Sequence, residues 1–143
     1  MDFHHFYTAT ASATDAGSVD LAVAGLESFK SNAPKEFGGP GDLWSPEDLL
    51  VAAIADCYAM SFRAVAKMAE FQWQDITCET TGELDRADTG VQFVAFKVTA
   101  RLTLDAAADA SQAEKLLQRA KRACFISNSV KAPIELLTEI VRC

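Results

Sequence analysis

The run Leu49-Leu50-Val51-Ala52-Ala53-Ile54-Ala55-Asp56-Cys57-Tyr58-Ala59-Met60-Ser61-Phe62 constrains this chain more than any other feature. At helical spacing it places apolar residues on every face, so it belongs at the centre of a globular structure. Its start is clearly marked. Ser45 is the N-cap, Pro46 occupies the first turn where its missing N–H costs nothing, and Glu47-Asp48 suit the positive helix end. The pattern predicts a helix to about Ala69. Asp56 and Arg63 interrupt the apolar run, which fits a core helix better than a membrane span.

The 143 residues suffice for one domain, 1–143, with a sizeable core. A net charge of -7 and the lack of basic clusters exclude a phosphate-backbone partner, so no nucleic acid is expected. The N-terminus, Met1-Asp2-Phe3-His4-His5-Phe6, has no basic segment followed by an apolar one. Neither signal peptide nor membrane partner is expected, and the cytoplasm is the default location. There four cysteines are normally reduced, and a disulfide is more often transient and catalytic than structural. No Cys/His spacing resembles a zinc site, nothing favours haem, and His4-His5 reads as a frayed surface pair. Neither metal nor cofactor is expected.

Phe6 to Thr14 alternates as a strand, and Val19, Leu21 and Val23 alternate on a second after the Asp15-Ala16-Gly17 turn. Ser31 to Leu43, with two prolines and three glycines, is a loop. Beyond the central helix, a strand from about Trp73 to Leu84 turns near Ala87-Asp88-Thr89-Gly90. It leads into a stronger strand with Val94, Phe96, Val98, Ala100, Leu102 and Leu104 on one face. A second helix opens with Ser111 and Glu114 at capping-box spacing and carries Leu116, Leu117, Ala120 and Cys124 as its stripe. After a break at Ser127-Asn128, Ile134, Leu136, Thr138 and Ile140 form a last strand. Strands, helix, strands, helix, strand define an α+β domain. One sheet and one helix cannot cover a helix apolar on all sides, so a homodimer burying the central helix between subunits is expected.

Cys57 lies mid-helix, where the helix dipole gives a thiolate little. Its neighbours on the same face, Leu50, Ala53, Ile54, Met60, Ser61 and Ala64, carry no charge. Considered alone it is a small packing residue, or a nucleophile whose cation comes from elsewhere. Cys124 closes its helix at the negative end of the dipole, which suits a resolving thiol better than an attacking one; a buried stripe residue accounts for it equally. Cys78 and Cys143 read as structural or incidental. Glu47 precedes Cys57 by ten residues, roughly 15 Å along a helix. It therefore serves Cys57 only through an intermediary or from a partner's antiparallel helix, and otherwise is a first-turn carboxylate.

Taken together, Ser45-Pro46-Glu47-Asp48-Leu49-Leu50 leading to Ala55-Asp56-Cys57, and Ala123-Cys124-Phe125-Ile126-Ser127-Asn128, resemble the OsmC/Ohr family of thiol-dependent organic hydroperoxide reductases. Pro34-Lys35-Glu36-Phe37-Gly38-Gly39 is similar to the family's Pro-Arg-Glu-Leu-Gly-Gly loop, and Thr8-Ala9-Thr10-Ala11 to its first strand. The separation of the two cysteines by 67 positions is of the family's kind. The resemblance implies an OsmC-like fold: antiparallel sheets around a central buried helix in an intertwined homodimer, with sites at the subunit interface. It implies that Cys57 is the peroxidatic thiol and Cys124 the resolving one, forming a disulfide reopened by a small dithiol or lipoyl-type reductant. A closed pocket of Tyr58, Met60, Phe62 and Phe125 is the expectation for organic peroxide substrates.

The same comparison implies an arginine, held by the helix-start glutamate Glu47. One family branch takes it from the turn after the first strand, where this chain has Thr14-Asp15-Ala16-Gly17-Ser18 and no cation. The other takes it from the loop before the central helix, where the nearest cation is Lys35. Lysine brings charge without the bidentate fork of arginine. Either Lys35 substitutes, Arg63 or Arg122 reaches in, or the activity is weak or lost. The expectations are therefore a cytoplasmic peroxidase using Cys57, Cys124, Glu47 and Lys35, or a non-enzymatic dimeric binding or redox-sensing module. A Lys35–Glu47 pair beside Cys57 favours the first.

Overall fold

Central helix α1, Pro46–Met68, starts and stops where its signals place it. In the computed structural model, which describes residues 2–143, Ser45 and Asp48 form a reciprocal cap. The Ser45 N–H donates to Asp48 Oδ2 at 3.0 Å, and the Asp48 N–H donates to Ser45 Oγ at 3.0 Å. Two amides that no helical carbonyl can reach are thus satisfied. The chain divides into two compact units, one ending at Leu50 and the other Val51–Cys143, with the boundary inside α1 and not at a linker.

The first unit holds a three-stranded antiparallel sheet of β1 (Thr10–Ser12), β2 (Val19–Ala22) and β3 (Phe29–Ser31) in that spatial order. The first strand is much shorter than its Phe6–Thr14 alternation predicts. All three of its residues are exposed, and it pairs with β2. β3 falls in a stretch with no alternation strong enough to announce it. A single 3₁₀ turn, Lys35–Phe37, interrupts the expected loop. Ser31 then bridges to Trp44, with the Asn32 N–H bonded to the Trp44 carbonyl at 3.1 Å, tying the end of β3 to the approach to α1. Among the described residues of this unit only Ser31 and Ser45 are buried, while Phe6 and Tyr7 are 89 % and 92 % exposed.

The second unit holds the core. β4 (Asp75–Ala87) and β5 (Gly90–Leu104) form a long antiparallel hairpin, followed by α2 (Ala110–Ala123), a 3₁₀ turn at Ser127–Ser129 and β6 (Ile134–Arg142). β5 is central. β4 pairs with it antiparallel and β6 pairs with it parallel, Val98 opposite Leu136. The expectation of antiparallel sheets therefore holds for every pair except β5–β6. Parallel neighbours need a long crossover, and α2 supplies it. The inner face of β5 carries the predicted residues: Phe96, Val98, Ala100, Leu102 and Leu104 are buried. A bulge opposite Glu83/Leu84 brings Phe93 beside Phe96, ring centroids 5.0 Å apart. A Cβ on Gly82 would strike both rings, so glycine is required there.

The core helices each contribute one stripe. Ile54, Tyr58, Phe62, Val65 and Ala66 are the buried residues of α1, and Ala113, Leu116, Leu117 and Ala120 those of α2. The N-cap of α2 is Asp109, not Ser111; its carboxylate accepts from the Ser111 and Gln112 amides at 2.8 and 3.2 Å. The central helix is not fully buried by its own chain. Of the most apolar 18 residues of α1, only 28 % are buried, and Met60 and Met68 are 55 % and 77 % exposed. One sheet and one helix cover one side of it, as the sequence implied.

Candidate functional site

Two thiols meet in the second unit. Cys124 is the C-cap of α2 and completely buried, whereas Cys57 on α1 is half-buried. The two side chains lie close enough for Cys57 to influence the Cys124 thiol, and both are unoxidised. From the other side the Ser127 hydroxyl donates to Cys124 Sγ at 3.0 Å, made possible because the chain turns tightly after the helix, with the Asn128 N–H bonded to the Cys124 carbonyl at 3.0 Å. The Ser129 hydroxyl closes the same turn on the Phe125 carbonyl at 2.8 Å.

Burial pushes the Cys124 thiol above its ordinary range, Ser127 pulls it back, and the nearby Cys57 raises it again. Cys124 is thus a weaker acid than an ordinary thiol. That disposition suits a thiol that acts second. Cys78, on the inner side of β4, also lies close enough to feel Cys124; burial first and then that neighbour push it up to about 11. The sequence offered no reason to place Cys78 in this cluster. Alternation alone put it on the inner face, and proximity to Cys124 comes from the packing of α2.

Tyr58 anchors the group. Its hydroxyl donates to the Leu117 carbonyl at 2.9 Å, joining α1 to α2. Burial raises its pKa strongly, with Cys78, Glu114 and Cys124 adding to the effect. The expected closed pocket does not form within the chain. Tyr58 and Phe62 are core residues at 1 % and 0 % exposure, while Met60 and Phe125 face outward at 55 % and 65 %. Helical spacing sends residues 58 and 62 to one face and residue 60 to another.

Glu47 and Lys35 belong to the first unit. Glu47 Oε1 is buried and has no hydrogen-bond partner. Glu47 also lines a cavity of about 480 Å³, with Val19, Leu21, Ser31, Asn32, Phe37 and Leu49 among its other walls. Lys35 does not pair with it: among the described residues no Lys35–Glu47 ion pair lies within 4.0 Å. The Lys35 methylenes instead lie over Gly41, where a Cβ would come within 2.5–2.9 Å of them. The other lysine of this unit, Lys30, is bound to Asp20 at 2.7 Å. Among the described residues no group of three or more His, Cys, Asp or Glu side chains is placed to hold a metal.

The α+β fold thus brings a buried thiol close to a more accessible one on a neighbouring helix. A family profile described as OsmC-like protein matches residues 39–139, and the chain belongs to that family. It is 29 % identical over 144 residues to the uncharacterised protein YmaD of Bacillus subtilis, covering 97 % of this chain and 95 % of that one. It is also 29 % identical over 92 residues to the peroxiredoxin OsmC of Escherichia coli, a match spanning 64 % of each chain. Among solved structures, an OsmC-like protein of unknown function from Vibrio cholerae superposes with a TM-score of 0.84 at 18 % identity, covering 96 % of this chain and 100 % of that one. That likeness establishes the shared fold.

Proposed function

We propose that this protein is a thiol-dependent peroxidase that reduces organic hydroperoxides to alcohols. The observation that carries the reading is the proximity of Cys57 to a buried Cys124 whose sulfur is held by the Ser127 hydroxyl. Family membership and the likeness to a peroxiredoxin support it.

The Cys57 thiolate attacks the terminal oxygen of the hydroperoxide, the O–O bond breaks, and the departing alkoxide leaves as the alcohol once protonated. Cys57 is then a sulfenic acid. Cys124 attacks that sulfur, water departs, and a Cys57–Cys124 disulfide remains. A small dithiol or lipoyl-type reductant restores both thiols by exchange through a mixed disulfide, supplying the two electrons consumed. Glu47 and a cation, Lys35 in the sequence comparison, orient the peroxide and favour the thiolate. The working form is a homodimer in the cytoplasm. The uncovered apolar surface of α1 supports the dimer.

A second reading, a dimeric binding or redox-sensing module without turnover, has one observation in its favour. Residues 1–62 contain no arginine, and Glu47 Oε1 has no partner. Consumption of tert-butyl or cumene hydroperoxide, driven by dithiothreitol or dihydrolipoamide, separates the two. The peroxidase consumes peroxide as wild type, loses turnover as Cys57→Ser, and stops at the sulfenic acid as Cys124→Ser. A wild type without turnover, or turnover that survives Cys57→Ser, overturns the peroxidase.

A further inference from the structure

The positive charge of this acidic chain is concentrated in one place. Five of its 13 Lys and Arg side chains, Lys115, Arg119, Lys121, Arg122 and Lys131, fall within residues 115–134, which contain no Asp or Glu, while the whole chain carries -7. Lys115, Arg119, Arg122 and Lys131 are exposed, and among the described residues none of the five is in an ion pair. The one carboxylate of α2, Glu114, is already hydrogen-bonded to Thr138 and Gln118. At i, i+4 and i+7, Lys115, Arg119 and Arg122 form a stripe about 10 Å long on the face opposite the buried Leu116, Leu117 and Ala120. Lys115 and Arg122 also border an open groove of about 570 Å³.

The stripe ends at the dithiol. The Arg122 carbonyl accepts a 3.1 Å hydrogen bond from the Asn128 side chain, in the same turn whose Ser127 holds Cys124. This face differs from the surface expected between subunits. The cores of such interfaces are apolar and poor in lysine, which describes the uncovered side of α1 and not the outside of α2. An extended polyanion, such as a nucleic acid or an anionic membrane, meets repulsion from the acidic remainder of the chain. A protein with a local acidic patch does not, and the stripe draws it towards Cys57 and Cys124.

We infer that the outer face of α2 docks an acidic protein segment that presents a dithiol to the oxidised site. The docking rests on the dithiol cycle proposed above and adds the surface and the charge of the partner. Cys124 is buried and Cys57 is half-buried, so the partner's thiolate attacks the Cys57 sulfur and Cys124 leaves as the thiolate. The partner's second thiol then displaces Cys57. The partner ends as a disulfide, and its two protons pass to the two cysteines.

Two synthetic peptides test this, each with a Cys-Gly-Pro-Cys centre, one flanked by glutamates and the other by lysines. The full chain is oxidised with diamide, so no peroxide turnover is needed, and each peptide's rate is divided by its rate with neutral hydroxyethyl disulfide. The acidic peptide is expected to reduce the chain about tenfold faster at low salt, with the ratio falling towards one at about 500 mM NaCl. The net charge of the chain by itself demands the opposite order. Lys115→Glu combined with Arg119→Glu removes the preference and leaves the dithiothreitol rate unchanged, which reports an intact fold. Fluorescence anisotropy with the serine versions of both peptides measures docking without any thiol exchange. It therefore stands whether or not the peroxidase reading does. Equal rates, or a faster basic peptide, overturn the inference in the wild type alone, as does anisotropy without an acidic preference. A preference that survives the double reversal overturns it too. So does a double reversal that changes the oligomeric state, which would assign this face to a second copy of the chain.

Discussion

The Ser127 hydroxyl donates a 3.0 Å hydrogen bond to the sulfur of Cys124, three residues earlier and just beyond the end of α2. This bond opposes the two influences that raise the Cys124 thiol, burial and Cys57. Ser127→Ala removes a bond to a developing thiolate, worth about 1 kcal/mol. In the proposed cycle the resolving step slows about fivefold, and Cys57 sulfenic acid persists longer. Stopped-flow trapping of the sulfenic acid by dimedone measures this, and an unchanged lifetime contradicts the role given to Ser127.

The Tyr58–Leu117 hydrogen bond is buried and links the two core helices. Tyr58→Phe keeps the ring and deletes the hydroxyl, which costs about 1 kcal/mol. For a chain of this size, the thermal midpoint falls by about 3 °C. Thermal denaturation followed by circular dichroism reads the shift directly. A drop above about 10 °C would mean that the hydroxyl also holds the thiol cluster in place.

Alkaline pH weakens the fold. Cys78 is raised to about 11 from an ordinary 9.0, and Cys124 and Tyr58 are raised too, each chiefly by burial. Between the ordinary and the raised values the folded chain holds protons that the unfolded chain has released. Stability is therefore complete below about pH 9 and declines as pH rises towards 11. Urea midpoints at pH 8 and pH 10 test this, and Cys78→Ala flattens the decline. Iodoacetamide at pH 8 modifies exposed Cys143 well before Cys78.

At the acid end the capping box responds. Hydrogen bonds from the Ser45 amide and then its hydroxyl hold Asp48 below the ordinary carboxylate value of 3.8, against a smaller opposing effect of burial. The contribution of Asp48 is complete above that value and lost as pH falls through its lower folded value. Asp48→Asn removes this part of the acid dependence. Ser45→Ala costs about 1 kcal/mol at neutral pH, measured as a lower urea midpoint.

What the sequence shows and hides follows from the range of each interaction. The start of α1 was readable because capping chemistry is local to Ser45, Pro46 and Asp48. The inner face of β5 was readable because alternation is a property of one strand. The direction of β6 was not, since a parallel and an antiparallel partner show the same alternation of Ile134, Leu136 and Ile140. β3 was missed because three residues centred on Lys30 carry too little pattern. For the site, the Cys57 and Cys124 motifs were visible through resemblance, and the chain brings the two thiols together. The fate of Lys35 was not visible. A flexible lysine goes where the local backbone leaves space, and Gly41 leaves it there.

The two thiols sit on helices separated along the chain by the whole β4–β5 hairpin. A bond between them would lace the 68 residues from Cys57 to Cys124 into a closed ring, a constraint worth about 4 kcal/mol against unfolding. A spent molecule would then be the tougher one. Proteases that sample brief openings would clear the reduced, ready form first and spare the oxidised form that awaits its reductant.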